Sequence, residues 1–112
     1  VKVQGCVEDA DLLIVGFGGT YGHLYSAMEE MNHAGKKVAL AHFVHLNPLP
    51  HNTAEVLKKY KKVVVAEQNL GQFAGYLRMK VDGFGPYQFN EVKGQPFVVS
   101  ELVDAFTEIL NK

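Results

Sequence analysis

Residues 63–78 read VVVAEQNLGQFAGYLR, and this stretch decides the class of fold. The run 63–66 is apolar and mostly β-branched, which is typical of a strand buried on both faces of a sheet. Glu67, Gln68 and Asn69 then interrupt the apolar pattern before a second segment that predicts a helix. The polar break therefore falls at the carboxyl end of a buried strand, where open α/β sheets place their working surface.

Residues 12–22, LLIVGFGGTYG, form a second junction of the same design. An apolar strand again ends in a short loop that leads into a helix, and here the loop is rich in glycine. Because the carboxyl ends of parallel strands lie at the same edge of a sheet, we expect both junctions to share one edge.

The rest of the chain predicts alternating strands and helices. The predicted strands are 11–16, 38–44, 62–66 and 87–92. The predicted helices are 20–34, a short one from Asn52 or Thr53 to Lys59, one from Asn69 to about Val81, and a last one from Ser100. Thr20, Asn69 and Ser100 are the predicted N-caps, and Gly35 is the predicted stop of the first helix. This order implies right-handed crossovers and an α/β three-layer sandwich with a mostly parallel sheet. The last strand, flanked by Gly-Pro turns, could form an antiparallel edge.

Composition limits the classes of function. The 112 residues suffice for one domain, and 11 Lys and Arg against 12 Asp and Glu give a net charge of −1, unlike a nucleic-acid binder. The sequence has no apolar run long enough to cross a membrane, and its single cysteine excludes an internal disulfide, so we expect a cytoplasmic protein. Because the chain starts with Val1 rather than Met, we expect it to be part of a longer protein.

The glycine loop does not match the dinucleotide-binding fingerprint. Tyr21 stands at the sixth position of that pattern, where glycine is required, and the second predicted strand does not end in an acidic residue. Two interpretations remain open. Gly18, Gly19 and Thr20 could hold a phosphate or carboxylate at the start of the helix, or the glycines could simply permit a tight turn.

The other candidate chemistry is a metal site, a nucleophile or a carboxylate. His42 and His45 are three apart on a strand and point to opposite faces, which argues against chelation. Ser26 and Cys6 do not fit a nucleophile system. Glu67 could be a carboxylate with a tuned pKa. Alternatively, Glu67 and Asn69 could bind backbone N–H groups at the neighbouring helix starts, and we favour this second interpretation.

Four segments resemble the carboxy-terminal domain of the α subunit of 2-oxoacid:ferredoxin oxidoreductases, particularly the 2-oxoglutarate type. They are VGFGGT at 15–20, LNPLP at 46–50, VVAEQNLGQF at 64–73 and VKGQPF at 92–97. The resemblance covers about residues 8–111, and residues 67–72 are its most specific part. It implies a fold similar to the carboxy-terminal domain of transketolase.

The resemblance implies an enzyme that oxidatively decarboxylates a 2-oxoacid on thiamine diphosphate, forms an acyl-CoA from coenzyme A and reduces ferredoxin. This chain has no segment for the diphosphate and its Mg²⁺ and no cysteine set for an iron–sulfur cluster. The domain alone is therefore expected to be inactive and to bind none of these cofactors, which would belong to the whole enzyme. The expected partners are the rest of the α subunit, a thiamine-binding β subunit and ferredoxin, without nucleic acid or membrane.

The expected role is in assembly, with a contribution to the entrance for coenzyme A or substrate. The residues expected to form this ligand or interface surface are Gly18, Gly19, Thr20, Tyr21, Glu67, Asn69 and Gln72. One alternative is a freestanding module that binds a phosphate or another anion at the glycine loop. The other is the carboxy-terminal domain of a different thiamine enzyme, a transketolase or a dehydrogenase β-like chain.

Overall fold

Strands and helices alternate along most of the structure, a computed structural model that describes residues 1–44, 49–68, 71–90 and 96–112. The strands are β1 (Val3–Gly5), β2 (Leu12–Phe17), β3 (Val38–Phe43), β4 (Val63–Glu67) and β5 (Tyr87–Asn90). The helices are α1 (Tyr21–His33), α2 (Thr53–Lys59), α3 (Gln72–Lys80) and α4 (Val99–Leu110). In this part of the chain no helix is both long and apolar enough to cross a membrane.

The five strands form one sheet in the order β1-β3-β2-β4-β5. The central strand β2 pairs in parallel with both β3 and β4, and β5 also pairs in parallel with β4. The prediction that the last strand could be an antiparallel edge is therefore wrong. Helix α3 carries the chain back across the sheet, and β5 runs in the same direction as β4. The antiparallel edge is β1, which pairs with β3.

Helices cover both faces of the sheet, as the three-layer prediction requires. On one face α1 and α4 pack against Leu12 and Ile14 of the central strand, and on the other α2 and α3 pack against Leu13 and Val15. All four of these strand residues are fully buried. The continuous apolar strands seen in the sequence therefore supply both halves of the core.

The helix starts differ from the predicted caps. Thr20 occupies the N-cap position of α1, but its hydroxyl donates to the Phe17 carbonyl oxygen instead of capping the helix. Helix α4 begins at Val99, so Ser100 lies inside it and is not its N-cap. Helix α3 begins at Gln72 with Gly71 at the N-cap position, which makes the predicted start too early; Asn69 lies outside the described residues.

The ends of two helices have clear causes. Gly35 has a φ of +87°, so it adopts the left-handed conformation predicted for the residue that stops α1. At the end of α4, the Lys62 ammonium donates to the carbonyl oxygens of Ile109, Leu110 and Lys112 at 3.1, 2.8 and 2.7 Å. Lys62 therefore satisfies carbonyl groups that have no partner within the helix.

Candidate functional site

The two junctions identified in the sequence lie side by side at the carboxyl edge of the sheet. Strands β2 and β4 are parallel neighbours, with Val15 opposite Val65. The rings of Phe17, from the first junction, and Phe73, from the second, contact each other with centroids 5.5 Å apart. The expectation of one shared edge is therefore met, and an aromatic contact joins its two halves.

The glycines of the first junction differ in what they do. A Cβ at Gly16 would lie 2.2 Å from Leu24 Cδ1, so α1 packs closely on β2 at this glycine and a side chain there would require Leu24 to move. Gly18 has a φ of +74° and begins a 3-10 turn that runs to Thr20. Gly19 has open space where a side chain would stand. Packing thus accounts for Gly16 and the tight turn for Gly18, but neither gives an internal reason for glycine at position 19.

Aromatic side chains stand exposed beside this turn. Phe17 and Tyr21 are each 39% exposed, and Val44 at the end of β3 is 71% exposed. Tyr21 donates its hydroxyl hydrogen to Gln4 Oε1 at 2.9 Å and stacks on Tyr25. These contacts hold the Tyr21 ring in place while part of it faces outward.

His42 lies beneath Tyr21, and sequence reasoning considered it only as a metal ligand. The two rings meet edge to face with centroids 5.2 Å apart. Among the residues that the structure describes, His42 Nε2 is buried and has no hydrogen-bond partner. Burial lowers the pKa of His42, while a hydrogen bond with the Gly18 backbone acts in the opposite direction. The signal in the sequence was that His42 lies near the carboxyl end of its predicted strand. In the structure it pairs with Gly16 in the β2–β3 register.

The second junction is built around the carboxylate of Glu67. Its two oxygens accept hydrogen bonds from the backbone N–H groups of Phe73 at 2.8 Å and Ala74 at 3.0 Å. Glu67 is only 4% exposed, so it stabilises the first turn of α3 from inside the protein. The favoured interpretation of Glu67 as a helix-start acceptor is therefore confirmed.

The remaining predicted site residues differ in their exposure. Gly18, Gly19 and Tyr21 lie together at the exposed edge, whereas Thr20 is 4% exposed and its hydroxyl is used inside the turn. Gln72 is exposed at the start of α3, and Asn69 lies outside the described residues.

The chemistry available in the described structure is that of a contact surface. Within residues 1–44, 49–68, 71–90 and 96–112, no group of three or more His, Cys, Asp or Glu side chains could hold a metal ion. His45, the second histidine of the pair considered above, lies outside those ranges. What the edge offers is aromatic surface, glycine backbone and the partly buried His42 ring.

Comparison with known proteins gives consistent matches over this whole architecture. The sequence pattern of the family described as pyruvate:ferredoxin oxidoreductase core domain II matches residues 10–94. The chain is 45% identical over 104 residues to the 2-oxoglutarate oxidoreductase subunit KorA of Mycobacterium tuberculosis, which covers 91% of this chain and 16% of KorA. It is 30% identical over 107 residues to the α subunit of 2-oxoacid:ferredoxin oxidoreductase 1 of Aeropyrum pernix, covering 92% of this chain and 17% of that protein.

Two solved structures share the fold. The 2-oxoglutarate:ferredoxin oxidoreductase of Magnetococcus marinus, solved with 2-oxoglutarate, coenzyme A and succinyl-CoA bound, matches with a TM-score of 0.90 and 28% identity, over 97% of this chain and 19% of that one. A split-gene transketolase, solved as an inactive β4 tetramer, matches with a TM-score of 0.69 and 16% identity, over 98% of this chain and 41% of that one. The chain spans about a sixth of the length of the curated relatives it matches.

Proposed function

Since this chain belongs to the pyruvate:ferredoxin oxidoreductase core domain II family, we propose that it is a domain of the α subunit of a 2-oxoglutarate:ferredoxin oxidoreductase. The observation that carries the choice of 2-oxoacid is the 45% identity to a 2-oxoglutarate oxidoreductase subunit. The whole enzyme oxidatively decarboxylates 2-oxoglutarate, transfers the succinyl group to coenzyme A and passes the electrons to ferredoxin.

The cofactors of this reaction belong to the rest of the enzyme in this proposal. Thiamine diphosphate with Mg²⁺ and an iron–sulfur cluster lie in the remainder of the α subunit and in its partner subunits, among them a thiamine-binding β subunit. This chain, with its single cysteine, supplies no cluster ligand set of its own. Low cysteine usage is also in keeping with a reducing compartment, and the cytoplasm is the proposed location.

The role proposed for this domain is to present a contact surface to the rest of the enzyme. We define the edge surface as Phe17, Gly18, Gly19, Tyr21 and Val44. Two large aromatic rings and an aliphatic side chain are exposed there beside glycine backbone with open space around it. Aromatic side chains are enriched at protein interfaces, and a glycine without a side chain permits close approach by a partner backbone.

The glycine turn supports contact better than phosphate binding. An anion at a helix start needs free donors, yet the Thr20 hydroxyl already donates to the Phe17 carbonyl oxygen. Glu67, on the second junction, supports this edge by fixing the backbone of Phe73, whose ring contacts Phe17. In the proposed assembly the same edge lies near the entrance for coenzyme A or substrate.

The test uses the full-length polypeptide that carries this sequence, expressed with its partner subunit. The wild-type complex is expected to reduce viologen only when both 2-oxoglutarate and coenzyme A are present. Gly19→Glu places a charged side chain in the edge surface at a position with open space, so the domain should fold while the subunits fail to copurify or lose turnover. Gly85→Glu is the matched control, because position 85 is also open and lies in the turn before β5, at the opposite end of the sheet.

The two parts of the proposal fail separately. A wild-type complex without 2-oxoglutarate-dependent reduction would contradict the proposed enzyme. An active wild type with a Gly19→Glu variant that assembles and turns over equally well would contradict the edge surface alone.

A further inference from the structure

The opposite edge of the sheet, where the strands begin, carries a concentration of lysine. Lys36 and Lys37 precede β3, and Lys61 and Lys62 precede β4. Between them the chain enters β2 at Asp11, whose backbone N–H donates to the Lys37 carbonyl oxygen at 2.8 Å. Because β3 and β4 lie on either side of β2 in the sheet, the two lysine pairs lie on either side of Asp11.

These residues line a cavity of about 380 Å³, closed on one side by Leu110 and Asn111 at the end of α4. Four lysines and one aspartate therefore face the same space, in a chain whose net charge is −1. The volume falls within the range of small-molecule sites, about 300–1,000 Å³.

Two of the four lysines have a structural explanation. The Lys62 ammonium donates to three carbonyl oxygens at the end of α4. The Lys37 ammonium lies 3.1 Å from Asp9 Oδ2, and that hydrogen bond raises the pKa of Lys37. Both side chains are therefore occupied within the protein, although their charges still act on the cavity.

Lys36 and Lys61 have no such explanation. Throughout the described ranges, neither ammonium group has a carboxylate, carbonyl or aromatic partner, and both side chains are exposed. Because both side chains line one cavity, an anion bound there would interact favourably with both charges. The ammonium group of lysine is a compact charge with three rotatable donors, which suits the oxygens of a phosphate group.

We propose that this cavity binds a phosphate-bearing anion with two or more negative charges, held chiefly by Lys36 and Lys61 with support from the charges of Lys37 and Lys62. The ligand enters from the amino edge of the sheet, away from the edge surface. Because the lysines are exposed, binding depends on ionic strength and weakens as salt shortens the screening length to about 10 Å at 0.1 M. This inference does not rest on the proposed function.

The test measures inorganic pyrophosphate binding to the full-length protein by titration calorimetry at low ionic strength. The Lys36→Gln/Lys61→Gln variant is expected to bind pyrophosphate about tenfold or more weakly, because it loses two charge-assisted contacts. The matched control is Lys2→Gln/Lys58→Gln, which removes the same charge from two exposed lysines that do not line the cavity. Hydrogen exchange of α4 should be the same in both variants, since neither touches Lys62.

Retained binding in the control and loss in the Lys36→Gln/Lys61→Gln variant would support the site. No pyrophosphate binding by the wild type, or equal binding by all three proteins, would overturn it. If the wild type does not bind pyrophosphate, the result would point instead to an acidic segment of the enzyme as the group that neutralises the lysines. None of these readouts depends on turnover, so the outcome is independent of the proposed enzyme activity.

Discussion

Glu67 Oε1 lies 2.8 Å from the backbone nitrogen of Phe73, and this hydrogen bond links the end of β4 to the first turn of α3. The ring of Phe73 in turn contacts the rings of Phe17 and Phe43. A buried carboxylate therefore fixes the backbone of the residue on which the exposed Phe17 rests. Glu67 therefore acts on this edge by positioning Phe73.

Glu67→Gln should destabilise the start of α3. The amide keeps one acceptor oxygen but turns an N–H₂ group toward a backbone N–H, at a cost of about 1–3 kcal/mol for the unsatisfied buried groups. We expect amide exchange in α3 of the full-length protein to become roughly tenfold faster or more. Glu30→Gln, an exposed change in α1, is the control and should leave α3 unaffected. Unchanged exchange in Glu67→Gln would contradict the capping role.

Two glycine substitutions should distinguish Gly16, which packs against Leu24, from Gly19, which lies in the exposed edge surface. Gly16→Ala places a Cβ 2.2 Å from Leu24 Cδ1 and should destabilise the fold by about 1–3 kcal/mol through overpacking. Gly19→Ala meets no atom within 4 Å and should leave stability unchanged. Proteolysis of the full-length variants, followed at the β2–α1 junction, measures the difference. Equal protection of both variants would show that Leu24 can move aside.

Lys62→Met should loosen the end of α4. The variant keeps an unbranched side chain but removes hydrogen bonds to two carbonyl groups in the last turn of α4 and to one just beyond it, and a cation at a helix end contributes about 0.3–1 kcal/mol. We expect faster hydrogen exchange in the last turn of α4, with β4 unaffected. Lys61→Met is the neighbouring control, because its ammonium contacts none of these carbonyl oxygens. The same exchange pattern in both variants would argue against the cap.

His42 should make the edge less stable at mildly acidic pH. Burial lowers its pKa in the folded protein below the ordinary value of 6.5, so in acid the unfolded chain takes up a proton before the folded one does. The destabilising effect of His42 is absent above pH 6.5. Below that value the free energy of unfolding decreases as the pH drops toward the pKa of His42 in the folded protein. Local protection of β3 and the start of α1 should therefore decline from pH 7 to pH 5 in the wild type. His42→Phe should decline less, and parallel curves would contradict the assignment.

The class of fold and the family could be predicted because the informative residues are local. Apolar runs of four residues followed by glycine or polar junctions predict buried parallel strands, and the sheet and its two helical layers confirm this. The resemblance to 2-oxoacid:ferredoxin oxidoreductases, based on four segments of which residues 67–72 are the most specific, is confirmed by the family match and by the 2-oxoglutarate:ferredoxin oxidoreductase structure.

What the sequence did not predict depends on distant contacts. Strand β1 has three residues and no periodic pattern, and it exists because Val3 and Gly5 pair with β3 more than thirty residues later. The direction of β5 follows from the crossover through α3, whereas the flanking Gly-Pro turns mark only where that strand lies. Thr20 and Ser100 are good capping residues by type, yet Thr20 bonds within its own turn and α4 starts before Ser100.

The separation of α4 from β2 along the chain has a consequence for synthesis. Leu102, Phe106 and Ile109 complete the core on one face of a sheet whose central strand is made ninety residues earlier. Until the residues of α4 leave the ribosome, Leu12 and Ile14 lack part of their cover and Lys62 lacks its carbonyl partners. Exposed apolar surface of this kind makes a nascent chain prone to aggregation. The emerging domain should therefore be a client of ribosome-associated chaperones until α4 docks and closes that face.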